Sequence, residues 1–441
     1  MSNLNSFPST VPLISRRGLL AFASVAGGAA LAAAPLRAAV VNSGDLPSYG
    51  NGMLPAGVRA RLILNVNGLT VNILEAGFET PGRPMVLLLH GFPNLAYSWR
   101  KVMPALAAAG YYAVAPDCRG FGRTTGWDTS FDADPAPFLA INMVRDQIAL
   151  VYALGYRNTA MMVGHDQGVQ VAALGALIRP DIFPRLTLIG GGFGGTPSFP
   201  FNTANGAPVP TPAYTNEDLD AAYAKLSPPR KGYGDYWSTR EADNDMRTLA
   251  SGKSNGMAGF FRGFYYMKSA DFAGNQNLQP MHAVRGVQEA AEQNAQMPEY
   301  YVMRRDRSMP ATIAAFMPNG TYSRNCKWLT DSDCEVYGNE YTRSGWTGAL
   351  HVYRHRLGTY PQQSAEQLTF SGRTIDVPAQ VISGKQDWGA NRAVGGPMTV
   401  GKVGFTLFKG VHMIERAGHW TQEEQPEQVG QLLTAFLREH A

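Results

Sequence analysis

The sequence predicts an α/β protein with a doubly wound, mostly parallel sheet that is interrupted by an inserted, mainly helical cap domain. From about residue 62 to residue 195, short apolar runs alternate with segments of helical spacing. Such β-α-β-α repetition is typical of a parallel sheet with helices on both faces. Residues 196–360 lack buried-strand runs, and strand patterns resume only after them. One sheet domain with a long insertion explains all three observations.

The first half of the sheet can be followed element by element. RLILNVNG and LTVNILEAG predict an opening hairpin, and MVLLLH is a wholly apolar run of the buried-strand type. LAYSWRKVMPALAAAG has helical spacing, YYAVAPD is the next strand, and FLAINMVRDQIALVYALG is the next helix. TAMMVGH predicts another strand, GVQVAALGALIRP a helix that starts directly after Asp166, and RLTLIGG a further strand.

The second half of the chain predicts the cap and the end of the sheet. Residues 196–360 are rich in Tyr, Met, Arg and Pro, with short helical stretches. AQVISGKQD and GFTLFKGVHMIE then predict strands, and QVGQLLTAFLREH predicts the closing helix. An insertion after a strand end usually covers the ligand crevice, because that crevice lies at the carboxyl ends of the strands. We therefore predict core segments at 39–195 and 361–441 and a cap at 196–360.

Composition narrows the class of protein. The chain has 441 residues, enough for one large domain with an insertion or for two domains. Hydrophobic residues make up 45% and charged residues 16%, which fits a soluble globular protein with a large core. The net charge of +4 is small and gives no case for nucleic-acid binding.

Residues 1–38 predict a signal peptide outside the fold. Arg16 and Arg17 precede a weakly apolar run, and Leu36-Arg37-Ala38 is a small-residue cleavage site. This pattern is typical of a bacterial twin-arginine export signal. The alternative is a membrane anchor, but the run from residue 18 to 35 is rich in Ala and Gly rather than Leu. We expect cleavage, a periplasmic or secreted protein, and no membrane span after cleavage.

The three cysteines give no metal motif. Cys326 and Cys334 are close in NCKWLTDSDCE and form either a small disulfide clip or two free thiols on a surface turn. Cys118 follows a strand and is expected to be a small buried residue. The sequence has no CxxC pair or metal-ligand cluster, so we expect neither a metal nor another cofactor.

Asp166, Asp387 and His419 follow the predicted strands in the order of a catalytic triad. VGHDQG places Asp166 at the strand-to-helix turn where serine hydrolases carry G-x-S-x-G. Asp387 ends VISGKQDW, and His419 lies in ERAGHW after the last strand. The order nucleophile, acid, histidine is that of the α/β-hydrolase fold.

A carboxylate nucleophile restricts the chemistry. Its attack on an ester carbonyl would give a mixed anhydride and expel a poor alkoxide. Attack on a saturated carbon instead displaces a halide or a strained epoxide oxygen and leaves an ester on Asp166. His419 can then activate the water that hydrolyses this ester, while Asp387 orients and stabilises the imidazole. We expect the backbone N–H groups of Phe92 and Gln167 to bind the resulting oxyanion.

Several motifs resemble the epoxide hydrolases of the α/β-hydrolase superfamily. They are HGFPNLAYSWR, VGHDQG, GKQDWG and AGHWTQEEQPEQV. GYGDYWSTREADNDM and YTRSGWTGALHVYRH resemble the cap segments that carry two epoxide-binding tyrosines in that family. By motif position these are Tyr233 and Tyr353, with Tyr236 as the substitute for Tyr233. The resemblance implies cofactor-free opening of an epoxide to a vicinal diol through an ester on Asp166, and the aromatic-rich cap favours a bulky apolar epoxide.

Other functions remain open at this point. Haloalkane dehalogenases resemble the chain in the sheet domain, and a haloalkane or haloacid dehalogenase would use the same nucleophile. Haloalkane dehalogenases bind halide with a Trp after the nucleophile, where this chain has Gln167. Many epoxide hydrolases also have Trp there, so Gln167 departs from both patterns. A lyase using Asp166 as a base and a non-catalytic binding protein are the further alternatives, although the intact triad order argues against the latter.

Three other polar residues have structural interpretations. His90, which opens HGFPN, is expected to order its loop rather than act as a base. His165 precedes the nucleophile and is expected to be a structural neighbour. Asp117 in APDCRGFGRT is expected to be a turn or salt-bridge residue of the sheet.

Overall fold

Nine strands form one sheet in the computed structural model of the chain. The structure describes residues 40–41, 48–50, 52–197, 214–252, 256–317, 326–354, 368–391 and 404–440. All of them belong to one unit, Arg37–Ala441. The sheet strands are β1 (Val40–Val41), β2 (Val58–Val66), β3 (Leu69–Ala76), β4 (Met85–Leu89), β5 (Tyr112–Pro116), β6 (Met161–His165), β7 (Leu186–Ile189), β10 (Ala379–Gly384) and β11 (Phe408–Ile414).

The strand order is β1-β2-β3-β5-β4-β6-β7-β10-β11. The first three pairs in this order are antiparallel, and every later pair is parallel. The opening hairpin is confirmed: Val66 pairs with Leu69, and the two residues between them, Asn67 and Gly68, have φ values of 50° and 81°. Positive φ at both central residues gives a two-residue turn whose twist matches that of the strands.

Helices connect the parallel strands and fill the insertion. The helices of the sheet domain are α1 (Met103–Ala108), α2 (Ala140–Ala153), α3 (Gly168–Ile178), α12 (Trp388–Asn391), α13 (Thr421–Glu424) and α14 (Pro426–Glu439). The cap helices are α4 (Asn216–Ala224), α5 (Tyr233–Trp237), α6 (Arg240–Ser251), α7 (Gly256–Met267), α8 (Val287–Asn294), α9 (Met309–Phe316), α10 (Asp331–Ser344) and α11 (Thr347–Arg354). The doubly wound sheet with an inserted, mainly helical cap is therefore confirmed. The predicted cap limits stay a prediction, because residues 198–213 and 355–367 lie outside the described parts.

The sheet topology fixes where a ligand crevice can form. From β4 the chain moves to β5 on one side, and then crosses back to β6 on the other side. Right-handed crossovers in opposite directions place their helices on opposite faces. In agreement, α1 packs with α14, whereas α2 packs with α3. The strand order therefore reverses at β4, and in such sheets ligands bind beyond the carboxyl ends at this switch point.

One local prediction needs correction. The helix predicted over LAYSWRKVMPALAAAG is a 3₁₀ turn at Ala96–Trp99 followed by the short α1, with Pro104 in the first turn of α1. Proline lacks an N–H and fits only at a helix start, so the two pieces remain separate. The cap also contains a two-stranded sheet, β8 (Arg230–Gly232) with β9 (Val302–Arg304), which is too short to show an alternating pattern.

Buried ion pairs join the sheet domain to the cap. The Arg100 guanidinium donates to Asp333 of α10 at 2.5 Å and to Glu423 of α13 at 3.0 Å. The Arg100 side chain is 3% exposed, and that of Glu423 is fully buried. Arg123 makes a second buried pair with Glu340 of α10 at 2.5 Å. We call the Arg100–Asp333 and Arg123–Glu340 contacts, together with Glu423, which shares Arg100, the core–cap ion pairs.

The cysteines are all buried free thiols. Cys326 and Cys334 are each 2% exposed and are not linked, so the free-thiol alternative describes them, but they lie in the core rather than on a surface turn. Cys118 is buried, as predicted.

The predicted signal peptide, residues 1–38, lies outside the described residues. Within the described parts of the chain, every helix is too short or too polar to cross a bilayer.

Candidate active site

Asp166 stands on a sharp turn between β6 and α3. Its φ is 52°, in the left-handed region that non-glycine residues rarely adopt. The two flanking glycines make this turn feasible. A Cβ on Gly164 would lie 2.3 Å from the Gly168 carbonyl oxygen, and a Cβ on Gly168 would lie 2.8 Å from the carbonyl oxygens of Leu89 and His90. The G-x-D-x-G spacing is therefore a steric requirement of the turn, which projects Asp166 at the switch point.

The loop after β4 supplies a hydrogen-bond donor to Asp166. The Phe92 N–H donates to Oδ1 of Asp166 at 2.8 Å. Gly91 permits this approach, because a Cβ there would lie 2.3 Å from the Asp166 Cβ. His90 holds the loop: its Nε2 accepts from the Cys118 N–H at 3.0 Å, so its Nδ1 donates to the Gly91 carbonyl at 2.8 Å. Burial lowers the pKa of His90 to about 4, which keeps this loop-ordering ring neutral.

His419 lies between the two aspartates. Its Nδ1 is 3.2 Å from Oδ1 and 3.3 Å from Oδ2 of Asp387, and its Nε2 is 3.5 Å from Oδ2 of Asp166. His419 is 3% exposed and Asp387 is 1% exposed. The structure thus brings together the three residues that the sequence places after separate strands. His165 is the predicted structural neighbour, since its Nε2 donates to the His419 carbonyl at 2.8 Å.

The charges in this site shift two pKa values in opposite directions. Burial alone would raise the pKa of Asp166, but the nearby His419, together with the charge of Lys268, holds it well below its usual range. Burial and Lys268 act to lower the pKa of His419, but Asp387 and Asp166 outweigh them and raise it. Asp166 is therefore ionised at any working pH, and His419 tends to hold a proton while Asp166 is charged.

Two functional neighbours were missed by sequence reasoning, Lys268 and Glu424. The Lys268 carbonyl accepts from the His419 N–H at 2.9 Å. Glu424 accepts from the N–H groups of Ala270, Gly418 and Trp420 at 2.8, 2.9 and 3.0 Å. Both residues hold the loop that carries His419, which we call the histidine loop, against the cap. Neither residue could be identified from the sequence, because a charged residue at a helix end is ordinarily exposed to solvent.

The two cap tyrosines lie next to each other, and Tyr353 packs against Phe92. The Tyr353 ring is 4.9 Å from that of Phe92, and the Tyr233 ring is 6.0 Å from that of Tyr353. Both tyrosines line one cavity of about 240 Å³, which Tyr301 also lines. Tyr236 is a poor substitute for Tyr233, because its hydroxyl donates to Asp245 at 2.7 Å.

Aromatic side chains form the wall around Phe92. Trp237 and Trp346 stack with their planes 4° apart, and their ring centroids are 5.2 and 5.6 Å from that of Phe92. Both indoles are buried, and neither indole N–H has an acceptor among the described residues. This wall gives the region near Asp166 a large apolar surface.

Gln167 occupies the position after the nucleophile, at the N-cap of α3. Its N–H therefore belongs to the helix N-terminus, where backbone donors are left without intrahelical acceptors. Its side-chain amide is buried without a partner in the described parts and lines a small cavity of about 20 Å³ with His90 and Cys118.

Asp117 is the predicted turn residue. Its carboxylate accepts from the N–H groups of Ala96 and Arg123 at 2.8 and 2.9 Å and from the Asn72 amide at 2.9 Å. In the described ranges, His, Cys, Asp and Glu form no group that could hold a metal ion.

The chain is similar in sequence to an α/β-hydrolase family and to known epoxide hydrolases. A family described as alpha/beta hydrolase fold matches residues 84–227. Epoxide hydrolase B of Mycobacterium tuberculosis is 29% identical over 390 residues, covering 85% of this chain and 97% of the relative. Epoxide hydrolase A of the same organism is 27% identical over 402 residues, covering 86% and 98%.

Solved structures show a similar architecture. An epoxide hydrolase from an endophytic Streptomyces has a TM-score of 0.65 and 27% identity, covering 87% of this chain and 96% of that chain. Potato epoxide hydrolase I has a TM-score of 0.60 over 87% of this chain and 99% of that chain. At 23% identity, the potato structure bears on the fold alone.

Proposed function

Because the chain is a hydrolase of the epoxide hydrolase family within the α/β-hydrolase superfamily, we propose that it opens an epoxide to a vicinal diol through a covalent ester on Asp166. One observation carries this proposal. Asp166 projects from the turn with Oδ1 on the Phe92 N–H and Oδ2 facing Nε2 of His419. One carboxylate oxygen thus has an oxyanion donor already in place, and the other faces the base.

In the first step an Asp166 oxygen attacks an epoxide carbon, and the C–O bond of the ring breaks toward oxygen. Asp166 needs no base for this attack, because neighbouring charges keep it ionised. The departing oxygen needs a proton, and a phenol with an ordinary pKa near 10 is a suitable donor. Tyr233 and Tyr353 line the same cavity, the Tyr353 ring packs against Phe92, and these two phenols are the donors that we assign to this oxygen.

In the second step water attacks the carboxyl carbon of the Asp166 ester while His419 takes its proton. Negative charge then develops on the Asp166 carbonyl oxygen. The Phe92 N–H, already 2.8 Å from Oδ1, binds this charge together with the Gln167 N–H at the start of α3. Asp387 holds Nδ1 of His419 and stabilises the imidazolium. Collapse of the intermediate releases the diol and restores the carboxylate.

Halide release is the second candidate. Halide release is favoured by the indole N–H groups of Trp237 and Trp346, which have no acceptor among the described residues. The rings of both residues contact Phe92. The paired tyrosines and Gln167 favour the epoxide, because a halide needs no proton donor. A panel of bulky aryl epoxides and matched haloalkanes separates the two: diol without halide supports epoxide opening, and halide release in place of diol overturns it.

The same proposal includes a substrate class and a location. The aromatic wall around Phe92 favours a bulky apolar epoxide. The paired Arg16 and Arg17 favour export through the twin-arginine route to the periplasm or beyond. Replacing both arginines by lysine should leave the precursor in the cytoplasm, and unchanged export would overturn this part of the proposal.

A further inference from the structure

Lys268 is a buried cation at the edge of the active site. It follows α7 directly and is 4% exposed. Its Nζ lies 5.1 Å from the ring centroid of Tyr301, 5.2 Å from that of Trp420 and 5.5 Å from that of Phe264. All three distances are within the range of cation–π attraction. The ammonium group is therefore held by aromatic faces that stabilise its charged form away from bulk water.

The main chain fixes this cation relative to His419. The His419 N–H donates to the Lys268 carbonyl at 2.9 Å. The preceding Gly418 packs so closely that a Cβ on it would lie 2.5 Å from the same carbonyl oxygen. Trp420, on the other side of His419, supplies one of the three rings around the ammonium. The main chain and the side chain of Lys268 therefore both contact the histidine loop, which fixes the ammonium relative to His419.

The titratable groups around His419 determine which charges the site contains. Burial lowers the pKa of His165 to about 3, so this ring is neutral. Burial raises the pKa of Glu424, whereas the backbone N–H groups of Ala270, Gly418 and Trp420 that donate to it act to lower the pKa. Among the described residues, Asp166, Asp387 and Lys268 are the charged groups that act on His419, and with His419 they make up the charges of the site. The charge of Lys268 acts on both partners of the reaction, since it lowers the pKa of Asp166 and that of His419.

We propose that Lys268 is a positioning residue whose fixed positive charge keeps the buried site free of net charge in the resting enzyme, in the ester and in the tetrahedral intermediate. This inference rests on the proposed ester mechanism. In the resting enzyme, the carboxylates of Asp166 and Asp387 are balanced by Lys268 and by protonated His419. A balanced site avoids the large cost of an uncompensated buried charge.

Ring opening preserves this balance. The new C–O bond to Asp166 removes its negative charge, and the epoxide C–O electron pair goes to the departing oxygen. That oxygen takes a proton from a cap tyrosine, and after the ester has formed His419 gives its proton to the tyrosinate. The ester state then contains neutral His419, the Asp387 carboxylate and the Lys268 ammonium, which again sum to zero. His419 has become the free base that the next step needs.

Hydrolysis of the ester also preserves the charge balance of the site. Water adds to the carboxyl carbon of the ester and gives its proton to His419, so that an oxyanion and an imidazolium appear together. With Asp387 and Lys268 the sum is still zero. Without Lys268, each of these states would carry one net negative charge. The pKa of His419 would then be higher, because the charge of Lys268 lowers it in the parent. Loss of the His419 proton in the ester state would therefore be less favourable.

The test compares Lys268→Met, which removes the charge, with Lys268→Arg, which keeps it. Ester formation and ester decay are followed separately by rapid mixing from about pH 5 to pH 9, a range that spans histidine titration. We expect ester decay in Lys268→Met to be slower at neutral pH by up to about tenfold, the limit that a one-unit rise in the pKa of His419 sets. The pH at which ester decay reaches half its maximum should rise by about one unit, whereas Lys268→Arg should stay near the parent value.

Lys101→Met is the matched control, because Lys101 is a half-buried lysine that donates to the Trp328 carbonyl away from the triad. Its loss should leave the pH profile of ester decay unchanged. Lys268→Gln gives a second neutral side chain if the Met variant does not fold. A folded neutral variant with the parent's pH profile overturns the role of Lys268. A parent enzyme that forms no ester overturns the mechanism itself, so the two failures are distinguishable.

Discussion

Nε2 of His419 lies 3.5 Å from Oδ2 of Asp166, whereas its Nδ1 lies 3.2 Å from Oδ1 of Asp387. The longer contact exceeds ordinary hydrogen-bond lengths. An already ionised nucleophile needs no base to activate it, so this spacing fits a histidine that acts on water after Asp166 has reacted. The following predictions test this division of roles and the packing that supports it.

Changing His419 to Gln should leave ester formation largely intact and block ester hydrolysis, because only the second step needs a base. The protein should then become heavier by the mass of one substrate, with the added mass on the peptide that contains Asp166. Intact-protein and peptide mass spectrometry check this. Asp166→Ala is the control and should gain no mass. A folded His419→Gln protein without an adduct, given a substrate that the parent turns over, would falsify the ester mechanism.

Changing Tyr233 or Tyr353 to Phe should slow ester formation by about 10²–10⁴-fold, the usual size of a general-acid contribution. Rapid mixing under single-turnover conditions measures this step directly. Tyr236→Phe is the matched control from the same cap segment, because the Tyr236 hydroxyl already donates to Asp245. It should keep the parent rate of ester formation. Parent-like rates in both site variants would remove the support for epoxide opening and strengthen halide release.

Changing Asp387 to Asn should move the pH dependence of ester decay to lower pH. Asp387 raises the pKa of His419, so its neutralisation lowers that pKa. Ester decay needs neutral His419 and rises with pH through this pKa, so the rise should begin at lower pH in the variant. The plateau rate should also fall, by as much as about 10⁴-fold, because Asn no longer favours the correct tautomer. A rise displaced to higher pH would contradict the assigned role of Asp387.

Changing Arg100 to Met should lower the free energy of unfolding by roughly 3–5 kcal/mol, because it leaves the buried carboxylates of Asp333 and Glu423 without their cation. Urea unfolding of the purified protein measures the change. The control is Arg179→Met, which breaks the exposed pair with Asp181. That loss should be within about 0–1 kcal/mol. Equal effects of the two variants would show that the buried contacts contribute no more than surface ones.

The sequence predicts the parts of the molecule that depend on local patterns. Wholly apolar runs such as MVLLLH identify the parallel strands, because only buried strands lack polar alternation. Since catalytic groups follow strand ends in such sheets, Asp166, Asp387 and His419 could be found without coordinates. Tyr233 and Tyr353 are predicted as site residues only by resemblance, because a tyrosine among many aromatics carries no local signal.

The remaining features depend on contacts between distant segments. Lys268 ends a helix, where a lysine is ordinarily solvated, and only the fold places it against Tyr301 and Trp420. Likewise, nothing near Cys326 or Cys334 in the sequence indicates that the cap buries both thiols. Three-residue strands such as β8 and β9 have too few positions to show a period.

The core–cap ion pairs limit how this enzyme can be recombined with its relatives. A chimera that receives a foreign cap keeps Arg100 and Arg123 but loses Asp333 and Glu340. Arg123 would then face an interface without its counter-charge, and Arg100 would keep only Glu423 of the sheet domain. Glu423, which follows His419 by four positions on the same loop, would lose its Tyr337 contact as well. Exchange of substrate specificity by domain shuffling should therefore succeed only when the donor cap brings acidic residues at both α10 positions.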